Sequence, residues 1–170
     1  VLVGGKAVEW LESGIFKITG AGTITLEATQ DGDATRNAAD PVVVSFEVPK
    51  LNQEIFWNQD FGVPSYGDVL TLTAVSSAGL PIRYTVVQGT AEIHGNRLTL
   101  TGAGQVSIEA RQTGSDLYVS AAPTTVIIRV RKARLRAWPQ DDVRDAGQQN
   151  PRFTILYDGF LFEDNESNIS

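Results

Sequence analysis

Arg97-Leu98-Thr99-Leu100-Thr101-Gly102-Ala103-Gly104-Gln105-Val106-Ser107-Ile108-Glu109-Ala110-Arg111 is the stretch on which the fold turns. Leu98 and Leu100 alternate with polar neighbours, a glycine turn intervenes, and Val106, Ile108 and Ala110 alternate again. A period of two places these apolar side chains on one face of two successive half-buried strands. Working outward, a polar loop from Gln112 to Pro123 leads to Thr125–Arg131, whose inward set is Val126, Ile128 and Val130. In the other direction Gly95-Asn96 is a two-residue hairpin signal after Thr90–Ile93. Ile82–Val87 alternates through Ile82, Tyr84 and Val86, and Val69–Val75 through Leu70, Leu72 and Ala74. Lys50–Trp57 reads as the first strand, with Ile55 and Trp57 inward. The stretches Phe61–Asp68 and Ser76–Pro81 hold the Gly and Pro that break a ladder. About seven short strands with no amphipathic helix between them predict an all-β chain, an antiparallel β-sandwich of immunoglobulin-like kind. Each inward Val, Ile or Leu contributes roughly 1.5–3 kcal/mol on burial, enough in sum for a unit this size to stand without staples.

The stretch also has a copy. Thr19-Gly20-Ala21-Gly22 returns 82 residues later as Thr101-Gly102-Ala103-Gly104. The same offset carries Glu27, Ala28, Gln30, Gly32, Ala39, Pro41, Val44, Val48 and Lys50 onto Glu109, Ala110, Gln112, Gly114, Ala121, Pro123, Val126, Val130 and Lys132. Self-similarity at constant spacing is the mark of a modular array. Phe16 and Ile18 match Leu98 and Leu100; Ile24 and Leu26 match Val106 and Ile108; Phe46 matches Ile128. Val1–Val3 matches the end of the Ile82–Val87 strand after a two-residue shift. Nothing upstream corresponds to Lys50–Val75. The expectation is a polypeptide that extends before Val1, or a module boundary permuted relative to this one; the lack of Met also suggests an internal or processed piece. The expected organisation is a partial module at 1–49, a complete one at 50–132 and a further partial one at 133–170. In the last, Leu135 and Ala137 continue a strand that Trp138-Pro139 breaks, and Arg152–Tyr157 alternates through Phe153, Ile155 and Tyr157.

The 50–132 unit resembles the bacterial MBG (mostly beta, glycine-rich) repeat family. The matching stretches are Lys50–Phe56, Tyr66-Gly67-Asp68, Ser76–Ile82, Leu100–Gly104 and Ala121-Ala122-Pro123. The 133–170 segment is similar to the companion type through Lys132–Leu135, Asn150–Phe153 and Tyr157–Phe160. Arg36, where the second copy has Tyr118, and Ala146-Gly147 depart from the family's aromatic preferences. The resemblance implies tandem Ig-like modules in large exported, adhesin-like bacterial surface proteins, hence an extracellular place and a spacer's role. It brings no catalytic residue.

Composition narrows the remaining chemistry. Hydrophobic residues make up 42% of the 170, which is a globular rather than a disordered composition. A net charge of −6 disfavours nucleic acid and anionic membranes as partners, because both need a basic face. No apolar run approaches the length of a bilayer span. The chain has no Cys, which removes disulfides, thiolate metal sites and cysteine nucleophiles. His94 is the only histidine and sits beside a hairpin tip, poor material for a triad or a zinc site. With no nucleophile–base pair, an enzyme is not expected, and no cofactor is implied.

Three carboxylates, Asp31, Asp33 and Asp40, are oxygen donors of the kind calcium takes, yet their counterparts Thr113, Ser115 and Ala122 do not repeat the set. Solvated acidic loops are the plainer reading, here and at Asp141-Asp142 and Glu163-Asp164. Trp10, Trp57 and Trp138 do not occupy equivalent places, so packing is favoured over a sugar-stacking platform. Arg129, Arg131, Lys132, Arg134 and Arg136 crowd the second seam as a solvated strand face, or one that meets an acidic partner. Expected partners are neighbouring modules of the same polypeptide. The alternative is a glycan- or protein-binding module acting through loop residues such as Phe61, Tyr66 and Leu80.

Overall fold

The computed structural model describes residues 8–12 and 15–169; Val1–Val3 and the side chain of Trp10 lie outside the described residues. The described chain forms strands and a single 3-10 turn (Glu166–Asn168), with no α-helix. The strands are β1 (Val8–Glu12), β2 (Ile15–Ile18), β3 (Gly22–Gln30), β4 (Ala39–Val48), β5 (Ile55–Phe56), β6 (Val69–Thr71) and β7 (Val75–Ser76). They continue as β8 (Arg83–Gln88), β9 (Ala91–His94), β10 (Arg97–Leu100), β11 (Gly104–Arg111), β12 (Thr124–Val130), β13 (Arg136–Pro139) and β14 (Ile155–Asp158). They assemble into several small sheets: β6-β10-β9, β12-β11-β8 and the pairs β1-β2, β3-β4, β5-β7 and β13-β14. These four pairs are antiparallel, as are β10 with its two neighbours and β11 with β12.

The sequence repeat is a repeat of strand register. In β3–β4 the partners are Gly22↔Val48, Ile24↔Phe46, Leu26↔Val44 and Ala28↔Val42. In β11–β12 they are Gly104↔Val130, Val106↔Ile128, Ile108↔Val126 and Ala110↔Thr124, each the 82-residue image of the first. The hairpin tips agree as well, Glu12↔Ile15 against His94↔Arg97; a bulge then moves β1 by one residue relative to β9. Register is fixed wherever one face is buried, because a one-residue slip would invert every side chain.

Contacts partition the chain into two compact units. One comprises Val1–Phe56, Val75–Pro81 and Arg111–Ala122; the other comprises Trp57–Ala74, Ile82–Ala110 and Pro123–Ser170. The core of the second is built from Leu72, Leu98, Leu100, Val106, Ile108, Ile128 and Val130, with Trp57, Phe61, Leu70, Tyr84 and Val86 packed against it. This is the face that alternation picked out. Trp57 meets Phe61 and Tyr84 edge-on, at ring distances of 6.1 and 5.4 Å. In the first unit Ile24 and Ile55 are buried, but Val44, the counterpart of half-buried Val126, is 55% exposed.

Two expected strands are shorter than alternation suggests, and side-chain amides are the reason. Val69–Val75 forms ladder only at β6 and β7. Between them Gln59 stands in for a neighbouring strand. Its Nε2 donates to the Thr71 carbonyl at 2.7 Å, and its Oε1 accepts from Thr73 N and Thr73 Oγ1 at 3.1 and 3.0 Å. Lys50–Trp57 pairs only at β5 and through a single parallel bridge, Leu51↔Tyr118. There Gln53 is buried, donating through Nε2 to the Val119 carbonyl (2.6 Å) and to Gln112 Oε1, while its own Oε1 accepts from Ser76 Oγ at 2.7 Å. Trp138 and Pro139 do not break β13; they form its end, paired with Leu156 and Ile155. Pro139 is tolerated there as the last residue of a strand in a two-stranded sheet.

Candidate functional site

Asp33 is a turn residue. Its Oδ1 accepts from Thr35 N (2.7 Å), Thr35 Oγ1 (2.7 Å) and Arg36 N (2.9 Å), and its own N–H donates to the Arg36 carbonyl. These bonds, the Thr35 hydroxyl first, hold its carboxyl below the ordinary range. The second copy repeats the turn with a hydroxyl: Ser115 Oγ accepts from Leu117 N and Tyr118 N, and Ser115 N donates to the Tyr118 carbonyl. Among the described residues no three His, Cys, Asp or Glu side chains gather as a metal would require, so Asp31, Asp33 and Asp40 are not brought together. His94 is exposed at the end of β9. Trp57 is packed in a core, whereas Trp138 is exposed on β13. Arg129, Arg131, Lys132, Arg134 and Arg136 are all exposed.

The three loop residues singled out for ligand contact part company. Phe61 turns into the core against Trp57. Leu80 is half-buried in the turn after β7. Tyr66 lines a cleft of about 310 Å³, together with Ala103, Lys132, Ala133, Leu135, Gly159, Phe160, Asp164, Asn168 and Ile169.

The Tyr66 loop is pinned from both sides. Tyr66 N donates to the Arg131 carbonyl (2.9 Å) and Arg131 N to the Pro64 carbonyl (2.8 Å). Gly67 N donates to the Leu100 carbonyl, and Leu100 N to the Asp68 carbonyl. Asp68 closes the turn by accepting from Ser65 N at 2.8 Å. The ring of Tyr66 rests on Phe162 at 5.4 Å. Its hydroxyl donates to the Leu161 carbonyl over a long 3.4 Å. Burial, then the hydrogen bond it donates to Asp164 and the negative charge of that carboxylate, push the phenol pKa up, so the hydroxyl keeps its proton.

The opposite wall is built by the chain end. Asn165 and Asn168 form a reciprocal cap on the 3-10 turn: Ser167 N donates to Asn165 Oδ1 (3.0 Å), and Asn165 N to Asn168 Oδ1 (2.8 Å). With Oδ1 so used, what Asn168 can turn to a ligand is its NH₂ group. Phe162 beside this wall holds φ at 54°, the one non-glycine residue in the left-handed region among the described residues. Lys132 and the Tyr157–Phe160 stretch were visible in the sequence as a seam lysine and a family motif. Leu135, Asn168 and Ile169 carry no local signal of a site, because the cleft joins stretches far apart in the chain.

A second hollow lies at the end of the first copy and shares two equivalent positions with this cleft. Lys17, Ile18, Thr19, Gly20, Ala21, Val48, Pro49, Leu51 and Leu117 line about 460 Å³. Ala21 and Leu51 correspond to Ala103 and Ala133 of the Tyr66 cleft. That hollow has no aromatic ring and no carboxylate.

No family model, curated protein or solved structure matches this chain.

Proposed function

We propose that this chain is a spacer of the bacterial MBG repeat type. On this reading tandem immunoglobulin-like β-sandwich modules, at 1–49, 50–132 and 133–170, belong to a large exported surface protein and hold a distal domain away from the cell. The observation that supports it most is what the two copies share. Strand register and turn chemistry recur at the 82-residue offset, down to the exchange of Asp33 for Ser115, whereas no set of reactive side chains recurs. Repetition of backbone pairing without repetition of a site is what a mechanical element needs. Pro49 at the first seam fixes one backbone angle and limits bending there.

Two measurements test the reading. Pulled by its ends in a force spectrometer, the chain is expected to give a discrete peak for the 50–132 module. The contour gain should be roughly 28 nm, since each extended residue spans at most about 3.3–3.6 Å. Featureless extension at low force would remove the mechanical role. An antibody to the chain should label intact cells of the bacterium that makes it; labelling only after permeabilisation would remove the surface role.

The Tyr66 cleft favours a second reading, a binding module.

A further inference from the structure

We propose that the Tyr66 cleft takes one neutral pyranose unit. The inference goes beyond the spacer reading and does not rest on it.

A site of about 310 Å³ sits at the small end of ligand pockets, with room for a single sugar ring. The lining states the ligand's chemistry. Ala103, Ala133, Leu135, Phe160 and Ile169 give apolar surface, on which the C–H face of a pyranose can lie. Four polar side chains interrupt it. Lys132 and the Asn168 NH₂ are donors; the Asp164 carboxylate and the Tyr66 oxygen are acceptors, since the Tyr66 proton is already directed within the protein. Donors and acceptors in equal number suit hydroxyl groups, each of which does both. The charges select as well. Asp164 disfavours a phosphate or carboxylate, Lys132 disfavours a quaternary ammonium, and a neutral polyol meets neither penalty.

The two copies supply an internal control. Two equivalent positions, Ala21/Ala103 and Leu51/Ala133, line a hollow in both, yet only the Tyr66 cleft is furnished with aromatic rings and a carboxylate. Behind the furnished hollow, Tyr66 rests on Phe162, a positive-φ residue outside the lining, and strain of this kind persists only where surrounding structure enforces it.

The test is an NMR titration of the ¹⁵N-labelled 170-residue chain. The probes are the methyl pyranosides of glucose, galactose, mannose and N-acetylglucosamine, with methyl phosphate and tetramethylammonium as charged controls. Saturable shifts in the millimolar range at the Ala103, Ala133 and Gly159 amides are expected with at least one pyranoside and with neither control. Asn168→Ala and Tyr66→Phe should each weaken that binding by up to about tenfold, the worth of one hydrogen bond, while the rest of the spectrum stays put. Tyr66→Phe keeps the ring on Phe162, so it guards against loss of the fold. Three results would each overturn the proposal: no saturable shift with any pyranoside, shifts unaltered in both variants, or tighter binding of a charged control. None of them would touch the force or surface-labelling results.

Discussion

A single oxygen in a turn shows how these residues are used. The Asp33 carboxylate and the Ser115 hydroxyl occupy the same place in the two copies and accept the same pair of backbone N–H groups. What the turn needs is an acceptor, not a charge. Asp33→Ser should therefore keep the melting temperature close to that of the parent, and Asp33→Ala should lower it. The residue beside each acceptor is glycine for a stronger reason. Gly32 and Gly114 hold φ at 78° and 86°, and a Cβ there would stand 2.5 and 2.6 Å from the carbonyl oxygens of Arg36 and Tyr118. Backbone oxygens cannot swing away as a side chain can. Gly114→Ala should cost about 1–3 kcal/mol in urea denaturation, and a change within error would mean that the turn opens freely. The buried amide pair nearby makes a second residue-scale prediction. Gln53→Leu strips partners from Ser76 Oγ and Gln112 at once, so it should cost about 1–3 kcal/mol. Gln53→Leu combined with Gln112→Leu should cost less than the sum of the two, because the second change removes a group the first has stranded. Strict additivity in that cycle would dismiss the network.

At the scale of elements, alternation found most strands of the 50–132 stretch and their inward face. Leu98, Leu100, Val106, Ile108, Ile128 and Val130, read as inward from a period of two, are the buried core. The hairpin at Gly95-Asn96 was legible because glycine there takes φ of 65°, which few other residues adopt. Strand ends were not legible. Whether Leu72–Ala74 joins a ladder depends on Gln59, a residue more than ten positions away whose amide occupies the space a strand would fill. Sequence period cannot report such a tertiary choice. Nor could it report that equal residues in two copies would be buried unequally. Leu100 has no exposed surface, whereas its counterpart in the repeat, Ile18, is 43% exposed. Leu100 lies on a strand flanked by both β6 and β9. Leu100→Ala should thus cost about 2–5 kcal/mol and Ile18→Ala under about 1 kcal/mol, measured as shifts in the urea midpoint. Equal costs would mean that both faces are covered alike. The cleft was the least legible element of all. Tyr66 was named from its loop, but a pocket is a meeting of distant stretches, and only the folded chain brings Asp164 and Asn168 to it.

For the molecule as a whole, the phenols couple stability to alkaline pH. Burial raises the pKa of Tyr84, whose hydroxyl donates to the Ala74 carbonyl at 3.3 Å. Burial, together with Asp164, raises that of Tyr66. In the unfolded chain both phenols ionise near their ordinary value of about 10. The folded chain then holds protons that the unfolded chain has released, so rising pH favours unfolding. The contribution of these phenols is intact below about pH 10 and is lost as pH climbs from there through the folded values. Each phenolate also adds negative charge to a chain that already carries −6, which works in the same direction. Urea midpoints measured from neutral pH into the alkaline range should hold steady up to about pH 10 and then fall. Tyr84→Phe separates the cause from general charge repulsion. It removes the ionising group and leaves the ring against Trp57, so it should flatten the alkaline fall while costing a modest amount at neutral pH through the lost bond to Ala74. A fall of unchanged steepness in that variant would assign the pH dependence to net charge rather than to the buried phenol.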